Sequence, residues 1–103
     1  MNGYTLHPEA FVDIDEIRDY IAEDNPDAAD WMVTEIFDAL RGLVQFPNVG
    51  YRRPKLTSRS VRFKLVREYV IAYEPDKTPL RVLAVFHGRR SPRVIAAILR
   101  GRE

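Results

Sequence analysis

The segment Leu80-Arg81-Val82-Leu83-Ala84-Val85-Phe86-His87-Gly88-Arg89-Arg90-Ser91-Pro92-Arg93 decides how the rest of the chain folds. Its first seven residues are apolar apart from Arg81 and favour a strand. The strand runs into His87, Gly88 and two adjacent arginines. Pro92 then opens a short apolar stretch, Val94 to Leu99, of helical type. A largely apolar strand therefore ends in a cluster of cations. Lys and Arg are mostly surface residues, so such a cluster is either a solvated strand end or a surface built for an anionic partner.

Upstream, Val61, Phe63 and Leu65 alternate with Arg62 and Lys64, and Tyr69-Val70-Ile71-Ala72-Tyr73 is apolar on both faces. Arg67-Glu68 separates these two strands as a tight turn, although it lacks the Asn-Gly pair that such turns favour. Glu74 to Pro79 is a turn rich in breakers. The three strands predict an antiparallel meander. Tyr51 to Ser60, with Arg52, Arg53, Lys55 and Arg59, reads as a polar loop. Two helices precede it. Pro8 suits a first helical turn, acids follow it where the helix dipole favours them, and Ala10, Ile14, Ile17 and Ile21 recur at helical spacing. Asn25 is a good N-cap for a second helix from Pro26 to about Gln45, whose stripe includes Ala29, Val33, Ile36, Leu40 and Leu43. The short connection predicts an antiparallel helix hairpin. Gly3 to Leu6 is a short strand expected at the sheet edge, and Gly101-Arg102-Glu103 is expected to fray. The fold class is α+β, in the order β-α-α-β-β-β-α, with the helices on one face of the sheet and the other face partly exposed.

With 103 residues, 46% apolar and 30% charged, the composition suits one globular domain over residues 1–103. There is no cysteine, hence no disulfide framework, and only two histidines, His7 and His87, so no metal and no cofactor is expected. No apolar run nears the roughly 20 residues that span a bilayer, and no signal-peptide pattern opens the chain. A soluble, cytoplasmic protein is expected. The net charge of +1 conceals a division. Residues 1–50 carry two basic and eleven acidic side chains (2 − 11 = −9); residues 51–103 carry fourteen basic and four acidic ones (14 − 4 = +10). The second half is suited to an anionic partner, or to neutralising the first half in the fold.

The chain resembles the ParE branch of the ParE/RelE toxin superfamily. The order of elements matches, as do Leu6-His7-Pro8-Glu9-Ala10 with Asp13-Ile14, Pro26 with Ala28-Ala29, Tyr69-Val70-Ile71-Ala72-Tyr73, and Val85-Phe86-His87-Gly88-Arg89-Arg90. The resemblance implies a toxin of a type II toxin–antitoxin system, held inactive by a cognate antitoxin. Members similar to ParE act on DNA gyrase; members similar to RelE cut mRNA on the ribosome. Metal-free RNA cleavage needs a positioned acid–base group and cations at the phosphate. Arg62, Lys64, Arg89, Arg90 and His87 are the residues that could supply them here. Val70 stands where the RelE-like pattern places an arginine, and Ile95 stands near its late tyrosine.

The resemblance therefore favours an inhibitor without chemistry of its own. Its target-binding residues are expected to be His87, Arg89, Arg90 and Arg93, because the arginine fork pairs bidentately with carboxylate or phosphate. The antitoxin is expected on a sheet face with Arg62 and Lys64 beside apolar Val70, Ala72, Leu83 and Val85, where an amphipathic acidic segment would fit. Two alternatives stand beside this reading. One is a ribosome-dependent ribonuclease; the other is a basic nucleic-acid-binding module. The second alternative lacks an aromatic stacking motif of RNA-recognition type and a helix-turn-helix.

Overall fold

The structure, a computed structural model, describes residues 3–102. The chain forms β1 (Tyr4–Leu6), α1 (Pro8–Ala22), α2 (Pro26–Gln45), β2 (Tyr51–Arg52), β3 (Arg62–Val66), β4 (Tyr69–Glu74), β5 (Leu80–His87) and α3 (Pro92–Arg100). The five strands form one mixed sheet in the order β1-β5-β4-β3-β2. The expected meander is β3-β4-β5, antiparallel throughout. β1 joins β5 in parallel, at the sheet edge as expected.

Local chemistry sets the helix ends. His7 caps α1, its Nδ1 accepting from the Glu9 N–H at 3.0 Å. Asn25 caps α2 in extended conformation, its Oδ1 accepting from the Ala28 N–H at 3.0 Å. Both helices begin on a proline, whose missing N–H costs nothing there. Ala29, Met32, Ile36, Leu40 and Leu43 form the buried stripe of α2. Trp31 lies outside the stripe, half-exposed beneath the Arg67 guanidinium at 4.7 Å. Arg67 also pairs with Glu35 and takes a positive φ of 57°. A two-residue hairpin loop requires that conformation at its first position, and the contacts with α2 hold a non-glycine residue in it.

The sheet is covered on both sides, against the expectation that all helices share one face. The α1–α2 hairpin packs on Ile71, Tyr73, Val82 and Val85. On the other side Ile95 and Leu99 of α3 pack with Val61, Phe63, Val70, Ala72, Leu83, Ala84 and Phe86. The apolar second face of the central strands is thus the seat of α3, not an open surface. A register shift between Ala72 and Tyr73 sets Ala72 opposite Ala84 but Tyr73 opposite Val82. Leu83 is the extra residue, so Leu83 and Ala84 face α3 together while Val82 and Val85 face the hairpin. Strict alternation cannot predict that placement.

Two further differences lie in the loops. Tyr51 and Arg52, read as loop, add a fifth strand by pairing with Phe63 and Arg62. Gly101 and Arg102 do not fray; Glu103 lies outside the described residues. Arg102 is 8% exposed and reaches back across the sheet edge. β1 ends at Leu6, so β5 has no strand partner beyond Val82 on that side. There the Arg102 guanidinium donates to the Leu83 carbonyl at 3.0 Å and pairs with both oxygens of Asp13. Asp13 in turn accepts from the Val85 N–H at 3.0 Å. An ion pair between α1 and Arg102, two residues beyond α3, completes the ladder that the short strand leaves open. Arg59 ties the same end of α3, donating to the carbonyls of Leu99 and Arg102 at 2.7 and 2.9 Å.

Candidate functional site

β5 delivers His87 to its carboxyl end, and the chain turns there on backbone bonds. Gly88 N–H donates to the Glu68 carbonyl at 2.7 Å, and Arg90 N–H to the His87 carbonyl at 3.1 Å. Ser91 then caps α3, its Oγ accepting from the Val94 N–H at 3.3 Å. This corner fixes the backbone of Arg89, Arg90 and Arg93 while their side chains stay exposed. None of the three forms an ion pair with a described residue. His87 is half-buried. Its Nδ1 accepts from the Arg89 N–H at 3.0 Å, and its ring meets the Tyr69 ring edge-on at 5.4 Å. In the neutral ring that bond puts the proton on Nε2.

Beside the corner lies an open cleft of about 340 Å³ between α1 and the end of β5. Ile17, Val85 and Phe86 give it apolar walls; Glu16, Tyr20, Tyr69, His87 and Arg90 give it polar ones. Burial holds the Tyr69 phenol above its ordinary pKa of 10.0, with Glu68 and Tyr20 adding to the shift, so Tyr69 stays a hydroxyl donor. The cleft offers donors and two carboxylates, Glu16 and the Arg102-paired Asp13, around an apolar floor, which suits a protein side chain or backbone segment. Sequence reasoning found His87 and Arg90 of this group and missed Glu16, Tyr20 and Tyr69. Glu16 and Tyr20 lie four apart on α1, the spacing of one helix face, and that was the signal available.

The other expected residues separate. Arg62 and Lys64 alternate with Phe63, which packs under α3, and so belong to the hairpin side of β3. Val70, Ala72 and Leu83 lie on the α3 side, buried; Val85 is buried on the hairpin side. The composite surface expected for these six residues is therefore divided between two faces. Arg62 is also committed: it donates to the Gly50 carbonyl at 2.7 Å. Lys64 is half-buried and pairs with no described acid. Of the ribonuclease set, Arg62 and Lys64 sit on β3, and His87, Arg89 and Arg90 sit at the end of β5, with β4 between the two strands. Val70 is buried on the sheet beneath α3, and Ile95 of α3 is buried against that sheet face.

The sequence model of the family described as "ParE toxin of type II toxin-antitoxin system, parDE" matches residues 4–92. The chain belongs to the ParE toxin family. It is similar to a curated protein of Sinorhizobium fredii (strain NBRC 101917 / NGR234) named "Putative toxin Y4kP", with 35% identity over 89 residues, covering 80% of this chain and 84% of that one. The ParE match ends at Pro92, so it takes in β5, Arg89 and Arg90 and leaves Arg93 and the rest of α3 outside. Among the described residues no helix is long and apolar enough to cross a membrane, and no group of three or more acids and histidines is placed to hold a metal ion.

Proposed function

We propose that this ParE-family toxin acts by binding DNA gyrase through His87, Arg89, Arg90 and Arg93, and that a cognate antitoxin neutralises it. The observation that carries the reading is the arginine corner: three exposed guanidinium groups without described acidic partners, on a backbone fixed at both ends. A fixed corner loses little entropy on binding, and arginine forks suit carboxylates on a protein surface. The adjoining cleft supplies the apolar contact that such an anchor needs. Burial of Val70 and Ile95 favours binding over RNA cleavage, because neither position can present a group to a phosphate. The direct test is gyrase affinity by surface plasmon resonance. Arg89→Ala/Arg90→Ala should weaken it at least about 10-fold, by roughly 1.4 kcal/mol or more. Equal affinity for wild type and variant would remove the corner from the interface.

For the antitoxin, Lys64 is the usable probe of the expected surface, since it carries charge without holding the fold. Lys64→Glu should weaken antitoxin binding at low salt, chiefly through slower association, and stopped-flow mixing would read this. Unchanged association would take Lys64 out of that interface. Arg62→Glu is unsuitable, because it would release the Gly50 carbonyl.

A further inference from the structure

Several cations of the second half of the chain lie around α3, on the sheet face opposite the one that the helix hairpin covers. At the start of α3, Arg53 and Lys55 of the β2–β3 loop share a cleft with Pro92. At its end, Lys77 and Arg100 share a second cleft with Arg59, Arg81 and Glu74. Glu74 is the one acid of that cleft, and it is held by Arg59 at 3.3 Å and Arg81 at 3.8 Å. Four cations thus face a single carboxylate that two of them already engage. Arg93 and Arg100 lie on the exposed side of α3, opposite buried Ile95 and Leu99.

Between Gly50 and Arg102 the only other acids are Glu68 and Asp76, each in a hairpin turn. Lys55, Lys77, Arg93 and Arg100 form no ion pair with a described residue. Nine residues of helix hold the two cationic clefts about 13 Å apart. A DNA duplex presents one negative charge per roughly 1.7 Å of axis, so about eight phosphates fall within that span. No aromatic side chain lines either cleft. Single-strand binders stack bases on aromatic rings, whereas a duplex backbone needs cations alone.

We infer that the α3 face is a binding surface for the phosphate backbone of double-stranded DNA, adjoining the arginine corner at Arg93. The inference stands on the placement of charge and does not depend on gyrase as the target. Duplex binding without gyrase inhibition would leave it intact and remove only the target reading.

The test is fluorescence anisotropy of a labelled duplex of arbitrary sequence, titrated with the full chain from about 50 mM salt upwards. Lys55→Gln/Lys77→Gln/Arg100→Gln is the variant, at exposed side chains whose loss should leave the unfolding midpoint unchanged. Three lost contacts should reduce the slope of log K against log salt by about 2.7, or 0.9 for each cation, and weaken binding at least about 10-fold at the lowest salt. Arg18→Gln/Arg41→Gln, on the helix hairpin, should change neither. No duplex binding at ~50 µM protein and low salt would overturn the inference. So would an equal loss in the hairpin variant, or tighter binding to a single strand than to the duplex.

Discussion

Tyr73 shows how much of this molecule rests on single polar atoms placed in its core. Its hydroxyl donates to the Pro47 carbonyl at 2.7 Å and accepts from the buried Gly50 N–H at 2.9 Å. With Arg62 on the Gly50 carbonyl, both polar groups of that residue are held from the sheet. A Cβ on Gly50 would sit 2.5 Å from the Tyr73 oxygen and 2.8 Å from the Phe63 carbonyl, so only glycine fits. Tyr73→Phe leaves the Gly50 N–H and the Pro47 carbonyl unpaired, and should cost about 1–3 kcal/mol by denaturant unfolding. Burial also raises the Tyr73 phenol above its ordinary 10.0, outweighing the Gly50 bond and the Arg62 charge, which lower it. The unfolded chain then releases these protons first. Stability should therefore be full below about pH 10 and fall as pH rises beyond it, less steeply in Tyr73→Phe than in wild type. A slope unchanged by the substitution would contradict that role. None of this was legible in the sequence, where Tyr73 is one apolar-type residue in a strand; its hydroxyl partners lie 26 and 23 residues away.

At the scale of elements, α3 is fastened by charge as well as by its apolar stripe. Asp13 and Arg102 are 89 residues apart, and together they satisfy Leu83 and Val85 on the open edge of β5. Arg102→Ala leaves Asp13 without its cation, and Asp13→Ala leaves the mostly buried Arg102 only the exposed Glu9 carboxylate at 3.9 Å, so each should destabilise by roughly 3 kcal/mol, with strong non-additivity in the double variant. Urea unfolding of the four proteins measures both, and simple additivity would sink the pairing. The helices were legible because their caps and periods are local: Asn25-Pro26 and the stripe beyond it fix α2 residue by residue. β2 was missed because a two-residue strand has no period to read. The seat of α3 was missed because Val70, Ala72 and Leu83 look the same in sequence whether an apolar face awaits a partner or holds the chain's own helix. Arg102 was missed because a charged residue beside Gly101 at a chain end carries no sign of a partner at Asp13.

Across the whole molecule, charge divides between the two halves of the chain. The acidic half forms the helix hairpin, and the basic half forms most of the sheet, the arginine corner and the α3 face. The two halves neutralise each other only in part. Arg67 reaches Glu35 and Arg102 reaches Asp13 across that division, while Arg89, Arg90 and Arg93 remain without described acidic partners. Of the candidate site, the sequence carried the cationic corner because its residues are contiguous. It did not carry the cleft, whose walls come from α1, β4 and β5. In the proposed function this corner directs a ParE-family toxin to gyrase. The measurement that tests it is supercoiling of relaxed plasmid by purified gyrase with the folded toxin titrated in, linear DNA scored on the same gel. Loss of supercoiling with accumulation of linear DNA, both abolished by Arg89→Ala/Arg90→Ala, is the predicted result. Undiminished supercoiling at micromolar toxin, or inhibition that survives the double substitution, would contradict it.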